Sequence, residues 1–303
     1  MKDFSGLIAK AAAASFEAAK NRSRFDPLPV DAFPAASLTA WSALAQAAGV
    51  PMVPVEVVGS VNVDDVLHFE TPEAPGVQAA LDLLESHNAA LTENTMLRWD
   101  CCASFGVKSA LSDGKNPKVS DRGLFAEDPR AFDILYDYPA HEIALLRRPW
   151  VKALQVDGYP LEFRVFVDEG APVAIANYYL QRPLADGPDF RALAVQALSY
   201  SQAILDQLAI TGKKPLAPGQ LPDSGLAATL DFMVDDTGQL LFLEAGPGLG
   251  YRAHPCAFFD PNTNKVAPVE GLCLASGVPA IPLAELPGMS AAPTSFRPGS
   301  CRP

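Results

Sequence analysis

Polar and apolar residues in the first third of the chain alternate with the periods of helices and strands. Leu38, Trp41 and Leu44 share one face of an amphipathic segment, and Gly49 follows it as a typical helix stop. The pattern predicts these elements: helices over residues 1–20, 37–48 and 72–87, and strands over residues 51–61 and 95–103. Alternation of helices and strands favours an α/β domain.

The middle of the chain has the clearest strand signals. Alternating apolar residues predict a strand over residues 147–154 and two β-hairpins at residues 159–180 and 226–246, here called the first and the second hairpin. A long helix is predicted between the hairpins, at residues 188–208, and a short helix at residues 269–275. The predicted fold class is therefore α/β in the broad α+β sense, with antiparallel hairpins.

The second hairpin places two carboxylates opposite each other. With a turn at residues 236–238, Asp231 faces Glu244 and Asp235 faces Leu240. Two such carboxylates repel each other unless a cation lies between them, and Mg²⁺ suits the pair when phosphates complete its shell. Because of this repulsion, removing one carboxylate is not expected to unfold the protein. The alternative is a solvated pair on an exposed sheet face. The alternating neighbours are expected to point into the core: Phe232, Val234, Leu241 and Leu243.

The first hairpin brings charged residues to one sheet face. Arg164 is expected opposite Ile175, and Glu162 opposite Asn177. A guanidinium on a strand binds phosphate oxygens in two places. Surface charge balanced by Glu162 is the alternative interpretation of each basic residue alone. Three basic residues form a cluster in this region: Arg148, Lys152 and Arg164.

Composition narrows the classes of function. The 303 residues include 23 Lys and Arg against 35 Asp and Glu, and the net charge of −12 argues against a nucleic-acid or anionic-membrane binder. No apolar run reaches the roughly 18 residues of a membrane helix. The charged N-terminal segment does not have the layout of a signal peptide. The five cysteines are odd in number and lack CxxC spacing, so we expect reduced thiols and a cytoplasmic location.

The order of these segments resembles the ATP-grasp superfamily. The pattern is a strand that ends in Lys (PWVK), an Arg-bearing hairpin (EFRVFV), a long helix, a strand with Asp (ATLDFMVD) and a strand with Glu (LLFLEAGPG). The resemblance implies an ATP-grasp fold with ATP and Mg²⁺ as cofactors. It also implies three segments: an N-terminal α/β domain at residues 1–90, an ATP-grasp domain at residues 91–285 and a flexible tail at residues 286–303.

Two features refine the resemblance. Arg98 and Lys108, together with Lys152, are similar to a phage-associated ATP-grasp clade that is marked by one arginine and two lysines. Many members of the superfamily have an Asn two residues after the metal-binding Glu, whereas this chain has Gly246, which puts a second magnesium ion in question. Arg252 follows shortly after and is expected to touch substrate or phosphate.

The resemblance implies an ATP-dependent carboxylate–amine ligase that forms an amide through an acyl phosphate. Its expected partners are small-molecule or peptide carboxylates and amines, with no membrane and no nucleic acid. The alternatives are a phosphotransferase on the same fold and a nucleotide-binding regulatory module without turnover. The implied site residues are these: Arg98, Arg164 and Arg252 for catalysis, Lys108, Lys152, Glu162 and Asn177 for the nucleotide, and Asp231 and Glu244 for magnesium.

Overall fold

The computed structural model describes residues 28–74, 76–136, 138–179, 184–216, 225–248, 257–260, 265–268 and 271–275. The helices of this part are α1 (Leu38–Ala47), α2 (Val63–Leu67), α3 (Val77–Ala89), α4 (Phe105–Ser112), α5 (Pro129–Tyr136) and α6 (Pro188–Thr211). Its strands are β1 (Ala32–Pro34), β2 (Glu56–Asn62), β3 (Thr95–Trp99), β4 (Glu142–Pro149), β5 (Gln155–Val156), β6 (Tyr159–Pro160), β7 (Glu162–Asp168), β8 (Ala171–Asn177), β9 (Lys214–Leu216), β10 (Ala228–Val234), β11 (Leu240–Pro247), β12 (Ala257–Asp260), β13 (Lys265–Pro268) and β14 (Cys273–Ala275).

The strands form two main antiparallel sheets. Five strands pair in the order β11-β10-β7-β8-β14, and three pair in the order β2-β4-β3. The pair β1-β9 is parallel. This mixture of helices and antiparallel sheets confirms the predicted fold class. The three-stranded sheet takes strands from both sides of residue 90, and the division at residues 1–90, 91–285 and 286–303 stays a prediction.

Two apolar cores lie against these sheets. In the first core, α1 and α6 pack on one face of the five-stranded sheet, where Trp41, Phe163 and Phe232 are fully buried. In the second core, α2, α3 and α5 pack against the three-stranded sheet around Leu97 and Trp99. Burial of each such side chain contributes about 1.5–3 kcal/mol. Three charged residues alternate with the core residues of this first core and therefore lie on the opposite face of the five-stranded sheet: Glu162, Arg164 and Asp231.

Most of the predicted elements are present. The hydroxyl of Ser37 accepts a hydrogen bond from the Ala40 amide at the start of α1, and Gly49 follows the helix with a left-handed φ of 68°. Helices α3 and α6, strand β3 and both hairpins also confirm the sequence pattern. The predicted helix at residues 269–275 is wrong for Cys273–Ala275, which pair with β8, because so short an apolar run fits either element. The helix predicted at residues 1–20 lies outside the described residues.

A β-bulge changes the register of the second hairpin. Asp231 lies opposite Glu244, as predicted, but the next residue Phe232 lies opposite Phe242. Leu243 is therefore an extra residue on β11, and a bulge of this kind redirects side chains. As a result, the adjacent residues Leu243 and Glu244 both line one cavity, which is described below as the first cavity.

The bulge corrects two expectations for this hairpin. Leu240 pairs with Val234 instead of Asp235. Leu241 and Leu243 pack in a small cluster outside the main core, whereas the sequence pattern placed them inside it. The cause is the extra residue, which a strict period of two does not anticipate.

The first hairpin also contains a register shift. Its turn lies where the sequence predicts it, but the ladder slips by one residue between Phe166 and Val167. The observed pairs are Arg164 with Ala176 and Phe163 with Asn177, in place of the predicted pairs Arg164 with Ile175 and Glu162 with Asn177.

The cysteines of the described ranges differ in their bonding. Cys101 and Cys102 are free thiols, whereas Cys273 is disulfide-bonded. This bond corrects the expectation that all the thiols are reduced, and the cytoplasmic location stays a prediction. Within the described ranges, no helix has the length and apolar character that crossing a bilayer requires.

Candidate functional site

The carboxylate of Glu244 on β11 is held by two basic side chains from other elements. Arg98 on β3 donates a hydrogen bond to Oε2 at 2.7 Å, and Lys108 on α4 donates one to Oε1 at 2.9 Å. Burial alone would raise the pKa of Glu244, but Lys108 and Arg98 hold this pKa well below its usual value. Glu244 is therefore ionised, and it links the five-stranded sheet to the three-stranded sheet.

Asp231, opposite Glu244, is paired with a different cation. Arg164 on β7 donates hydrogen bonds from Nε and Nη2 to the two oxygens of Asp231 at 2.8 and 2.7 Å. Tyr178 lies between the ion pairs, because its ring centre is 4.6 Å from Cζ of Arg164 and 5.1 Å from Nζ of Lys108. Three basic side chains thus neutralise the two carboxylates.

Arg148, near the end of β4, is buried and has no carboxylate partner in the described part of the chain. It is 3% exposed, its Nη1 donates a long hydrogen bond of 3.4 Å to the carbonyl of Leu243, and none of the described residues bonds to its Nη2. Burial and the nearby Arg98 lower the pKa of Arg148 to about 9. A buried guanidinium with an unused donor is suited to an anionic ligand.

Glu162, the first residue of β7, is a third carboxylate in this region. Burial raises its pKa to about 7, and Lys108 offsets this rise only in part. The hydroxyl of Tyr179 donates a hydrogen bond to Glu162 at 3.4 Å. Burial also raises the pKa of Asp231, although its ion pair with Arg164 opposes this rise. At neutral pH Glu244 is therefore charged, whereas Glu162 is partly protonated. The three carboxyl groups face four buried or half-buried cations: Arg98, Lys108, Arg148 and Arg164.

A cavity of about 750 Å³, here called the first cavity, adjoins these charges. Its polar lining includes Arg98, Lys108, Arg148, Glu162 and Glu244. Its apolar lining includes Val53, Met96, Trp150, Met233 and Leu243. A concave, mainly apolar wall with a few convergent charged groups is typical of a small-molecule site. The excess of positive charge favours an anionic ligand.

A second cavity of about 430 Å³ meets the first at Glu244, which lines both. Asp231 and Arg164 line the second cavity, and Gly246 also belongs to its wall. The carboxylate pair therefore borders two separate spaces, each large enough for a small molecule.

Asp231 and Glu244 are suited to bind Mg²⁺ together with phosphates. Each of their oxygens accepts one hydrogen bond from a basic side chain, which leaves further acceptor capacity. In the part of the chain that the structure describes, no group of three or more His, Cys, Asp or Glu side chains is placed to hold a metal ion. Magnesium needs only one or two carboxylates when phosphates and waters fill its shell. The site fits that arrangement and does not fit a cage of protein ligands alone.

The structure brings together most of the residues that the sequence singled out. Lys152 is exposed beside the first cavity, beyond the end of β4. Asn177 is buried, donates a hydrogen bond to the carbonyl of Tyr179 at 2.6 Å and lines neither cavity. Arg252 lies outside the described residues. Six predicted residues meet at the carboxylate pair: Arg98, Lys108, Glu162, Arg164, Asp231 and Glu244.

Sequence reasoning missed the roles of Arg148 and Tyr178. The basic cluster around Lys152 included Arg148, but no pattern indicated that this guanidinium is buried with one donor group unused. Tyr178 follows the last residue of β8, and its ring contacts two cations of the site. The ring also packs against Tyr179, which in turn packs against Tyr159. Both roles depend on contacts between distant parts of the chain.

Comparison with known proteins gives partial structural similarity. No protein-family model matches the chain, and no curated protein matches it at a significant level. C-terminally truncated Cdc123 from Schizosaccharomyces pombe is similar over 70% of this chain and 83% of its own, with a TM-score of 0.40 and 12% identity.

Two enzymes show similarity of the same order. N5-carboxyaminoimidazole ribonucleotide synthetase from Thermotoga maritima is similar over 73% of this chain and 43% of its own, with a TM-score of 0.36 and 10% identity. The D-alanine-D-alanine ligase from Coxiella burnetii is similar over 70% of this chain and 47% of its own, with a TM-score of 0.32 and 13% identity. The matched region thus spans less than half of each enzyme.

Proposed function

We propose that the chain binds ATP with Mg²⁺ in the first cavity and acts as an ATP-dependent carboxylate–amine ligase. The observation that carries this proposal is the buried Arg148, whose Nη2 has no hydrogen-bond partner among the described residues and which lines the same cavity as Glu244, the carboxylate opposite Asp231. A magnesium–polyphosphate complex supplies both the anion that suits Arg148 and the cation that suits the carboxylates. The sequence pattern that resembles the ATP-grasp superfamily supports the same assignment.

In this proposal, Arg148, Lys108 and Lys152 bind phosphate oxygens, and the apolar wall at Trp150 and Met233 accommodates the base. Asp231 and Glu244 would hold Mg²⁺, which neutralises charge on the phosphates when bound. Arg98 fixes the orientation of Glu244 by its hydrogen bond at 2.7 Å, and Arg164 fixes Asp231 by its two-point contact. The resemblance also assigns Glu162 and Asn177 to nucleotide binding and Arg252 to catalysis.

The proposed reaction has two steps. A carboxylate oxygen of the substrate attacks the γ-phosphorus of ATP, the bond from this phosphorus to the β-phosphate oxygen breaks, and ADP leaves. An amine then attacks the acyl phosphate, loses a proton and releases inorganic phosphate as the amide forms. The protein contributes positioning and fixed positive charge. No nucleophilic side chain is needed for either step.

Calorimetric titration tests the nucleotide assignment. ATP is expected to bind more tightly in the presence of Mg²⁺ than in a buffer that contains a metal chelator. Without the metal ion, the carboxylates of Asp231 and Glu244 repel the phosphates. Lys152→Ala is expected to weaken ATP binding by about 1 kcal/mol, the range of an exposed ion pair. The exposed Lys213 provides the matched control, since Lys213→Ala is expected to change nothing. Equal affinity with and without Mg²⁺ would contradict the proposal.

ADP release separates the ligase from its alternatives. A panel of carboxylates and amines, incubated with ATP and Mg²⁺, is expected to raise ADP release only when both substrate types are present. A stable phosphorylated product without an amine would support the phosphotransferase instead. ATP binding without ADP release from any mixture would support the regulatory module.

Gly246 offers a test of the metal content. Gly246 lies outside the left-handed region, and a Cβ there would be 3.6 Å from Oγ1 of Thr229, an ordinary contact, so the backbone tolerates a side chain at this position. An amide oxygen is a suitable magnesium ligand, and Gly246→Asn is expected to lower the half-saturating Mg²⁺ concentration by about threefold to tenfold. Gly248→Asn is the control, because its Cβ would approach that of Ala227 to 2.7 Å and destabilise the fold. An unchanged magnesium dependence of the folded Gly246→Asn variant would contradict the prediction.

A further inference from the structure

The second cavity is bordered by the carboxylate pair and by helix α5. Asp231, Arg164 and Glu244 line it from the five-stranded sheet, and Arg130 and Asp133 line it from α5. Its volume of about 430 Å³ lies within the range of small-molecule pockets. Since Glu244 belongs to both cavities, a ligand in the second cavity and a ligand in the first would meet at this carboxylate.

Arg130 lines this cavity without a counterion among the described residues. Within that part of the chain its buried Nε has no hydrogen-bond partner, and none of the ion pairs includes its guanidinium. Arg164, by contrast, is paired with Asp231 through two hydrogen bonds. A half-buried guanidinium without a counterion is suited to a carboxylate or a phosphate.

Two buried carboxylates, Asp128 and Asp100, accept hydrogen bonds from groups other than the Arg130 guanidinium. Asp128 accepts hydrogen bonds from three backbone amides at the starts of α4 and α5. Asp100 accepts hydrogen bonds from a backbone amide and, at 3.5 Å, from the hydroxyl of Tyr138. Asp133 is exposed to solvent three residues after Arg130 and forms no ion pair with it in the described structure. The positive charge of Arg130 is thus left for a ligand.

We propose that the second cavity binds the acceptor substrate and that Arg130 binds an anionic group of this acceptor, apart from the group that reacts. The anionic group is a carboxylate or a phosphate. The acceptor role rests on the proposed function, whereas the charge of the ligand rests on the guanidinium of Arg130.

Cys101 allows a direct test of the charge preference, because its free thiol lines the same cavity. The full chain is labelled with anionic sulfonatoethyl methanethiosulfonate or with cationic aminoethyl methanethiosulfonate, and modification of Cys101 is followed by peptide mass spectrometry. The ratio of anionic to cationic labelling rates is expected to fall by about tenfold in Arg130→Gln and to persist in Arg130→Lys. Arg147→Gln, on the distant β4 surface, is the matched control. An unchanged ratio in Arg130→Gln would overturn the proposal.

Protection of Cys101 identifies the anion. Slower labelling in glutarate indicates a carboxylate site, and slower labelling in glycerol phosphate indicates a phosphate site. Equal protection by neutral glutaramide, or no protection by either anion, overturns the proposal. Acceptors that raise ADP release are expected to carry a second anionic group, and their KM is expected to rise by about tenfold in Arg130→Gln. Active acceptors without such a group would also overturn it.

Titration of ATP with Mg²⁺ into the same variants keeps the two proposals apart. Unchanged ATP affinity in Arg130→Gln, together with a lost charge preference, locates the anion site in the second cavity only. Failure of the unmodified chain to bind ATP would refute the proposed function and the acceptor role with it. The labelling ratio would still show whether Arg130 attracts anions.

Discussion

Replacing Arg148 with methionine is expected to stabilise the free protein while it weakens ATP binding. Arg148 is a buried cation that pairs with no carboxylate of the described ranges, and a methionine side chain removes the unfavourable burial of that charge. The free energy of unfolding in urea is expected to rise by about 1–3 kcal/mol. The affinity for ATP with Mg²⁺ is expected to fall by about 2–3 kcal/mol, because a charge-assisted contact to phosphate is lost.

Arg147, the neighbour of Arg148 on β4, provides the matched control for this experiment. Its guanidinium lies 3.8 Å from the carboxylate of Glu56 and is partly exposed. Arg147→Met is expected to leave both the stability and the ATP affinity nearly unchanged. A destabilised Arg148→Met variant that binds ATP as tightly as the unmodified chain would mean that Arg148 has a structural role only.

Removing the carboxylate of Glu244 is expected to have the opposite effect on stability. Glu244→Ala would leave Arg98 and Lys108 without their counterion, although the sequence pattern of two repelling carboxylates suggested no loss of stability. Breaking a buried ion pair on one side costs about 3–5 kcal/mol of unfolding free energy. ATP-dependent turnover is expected to vanish, since the proposed magnesium ligand is lost with the same change.

Two comparisons make the Glu244 result specific. Glu56→Ala removes an exposed carboxylate and is expected to cost less than about 1 kcal/mol. Glu244→Gln keeps the shape and an acceptor oxygen, so it is expected to be more stable than Glu244→Ala and still inactive. Measured turnover near that of the unmodified chain in folded Glu244→Gln would contradict a role of this carboxylate in metal binding.

Local patterns were sufficient to predict the opposed carboxylates but not the ladder around them. Counting back from the turn places Asp231 opposite Glu244, and this pair is observed. The same count fails at Leu240, because one extra residue enters β11 between the turn and Glu244. A bulge depends on how the sheet twists and packs, and an alternating hydrophobic pattern carries no signal for it.

Local sequence patterns do not predict which charged side chains pair in the site. Arg98 and Glu244 are 146 residues apart in the chain, yet their side chains form a hydrogen bond. The two adjacent arginines of β4 point to opposite sides of a strand, but alternation alone does not say which of them is buried. These contacts arise only when the two sheets pack together, so the charge balance of the site had to come from the structure.

The position of Glu244 in both cavities has a thermodynamic consequence. Any ligand that draws on this carboxylate, or on the Arg98 and Lys108 side chains that hold it, changes the free energy of whatever binds in the neighbouring cavity. Such linkage is reciprocal, so the factor by which one ligand alters the affinity of the other is the same in both directions. Through Glu244, the ligand affinity of one cavity therefore depends on whether the other cavity is occupied.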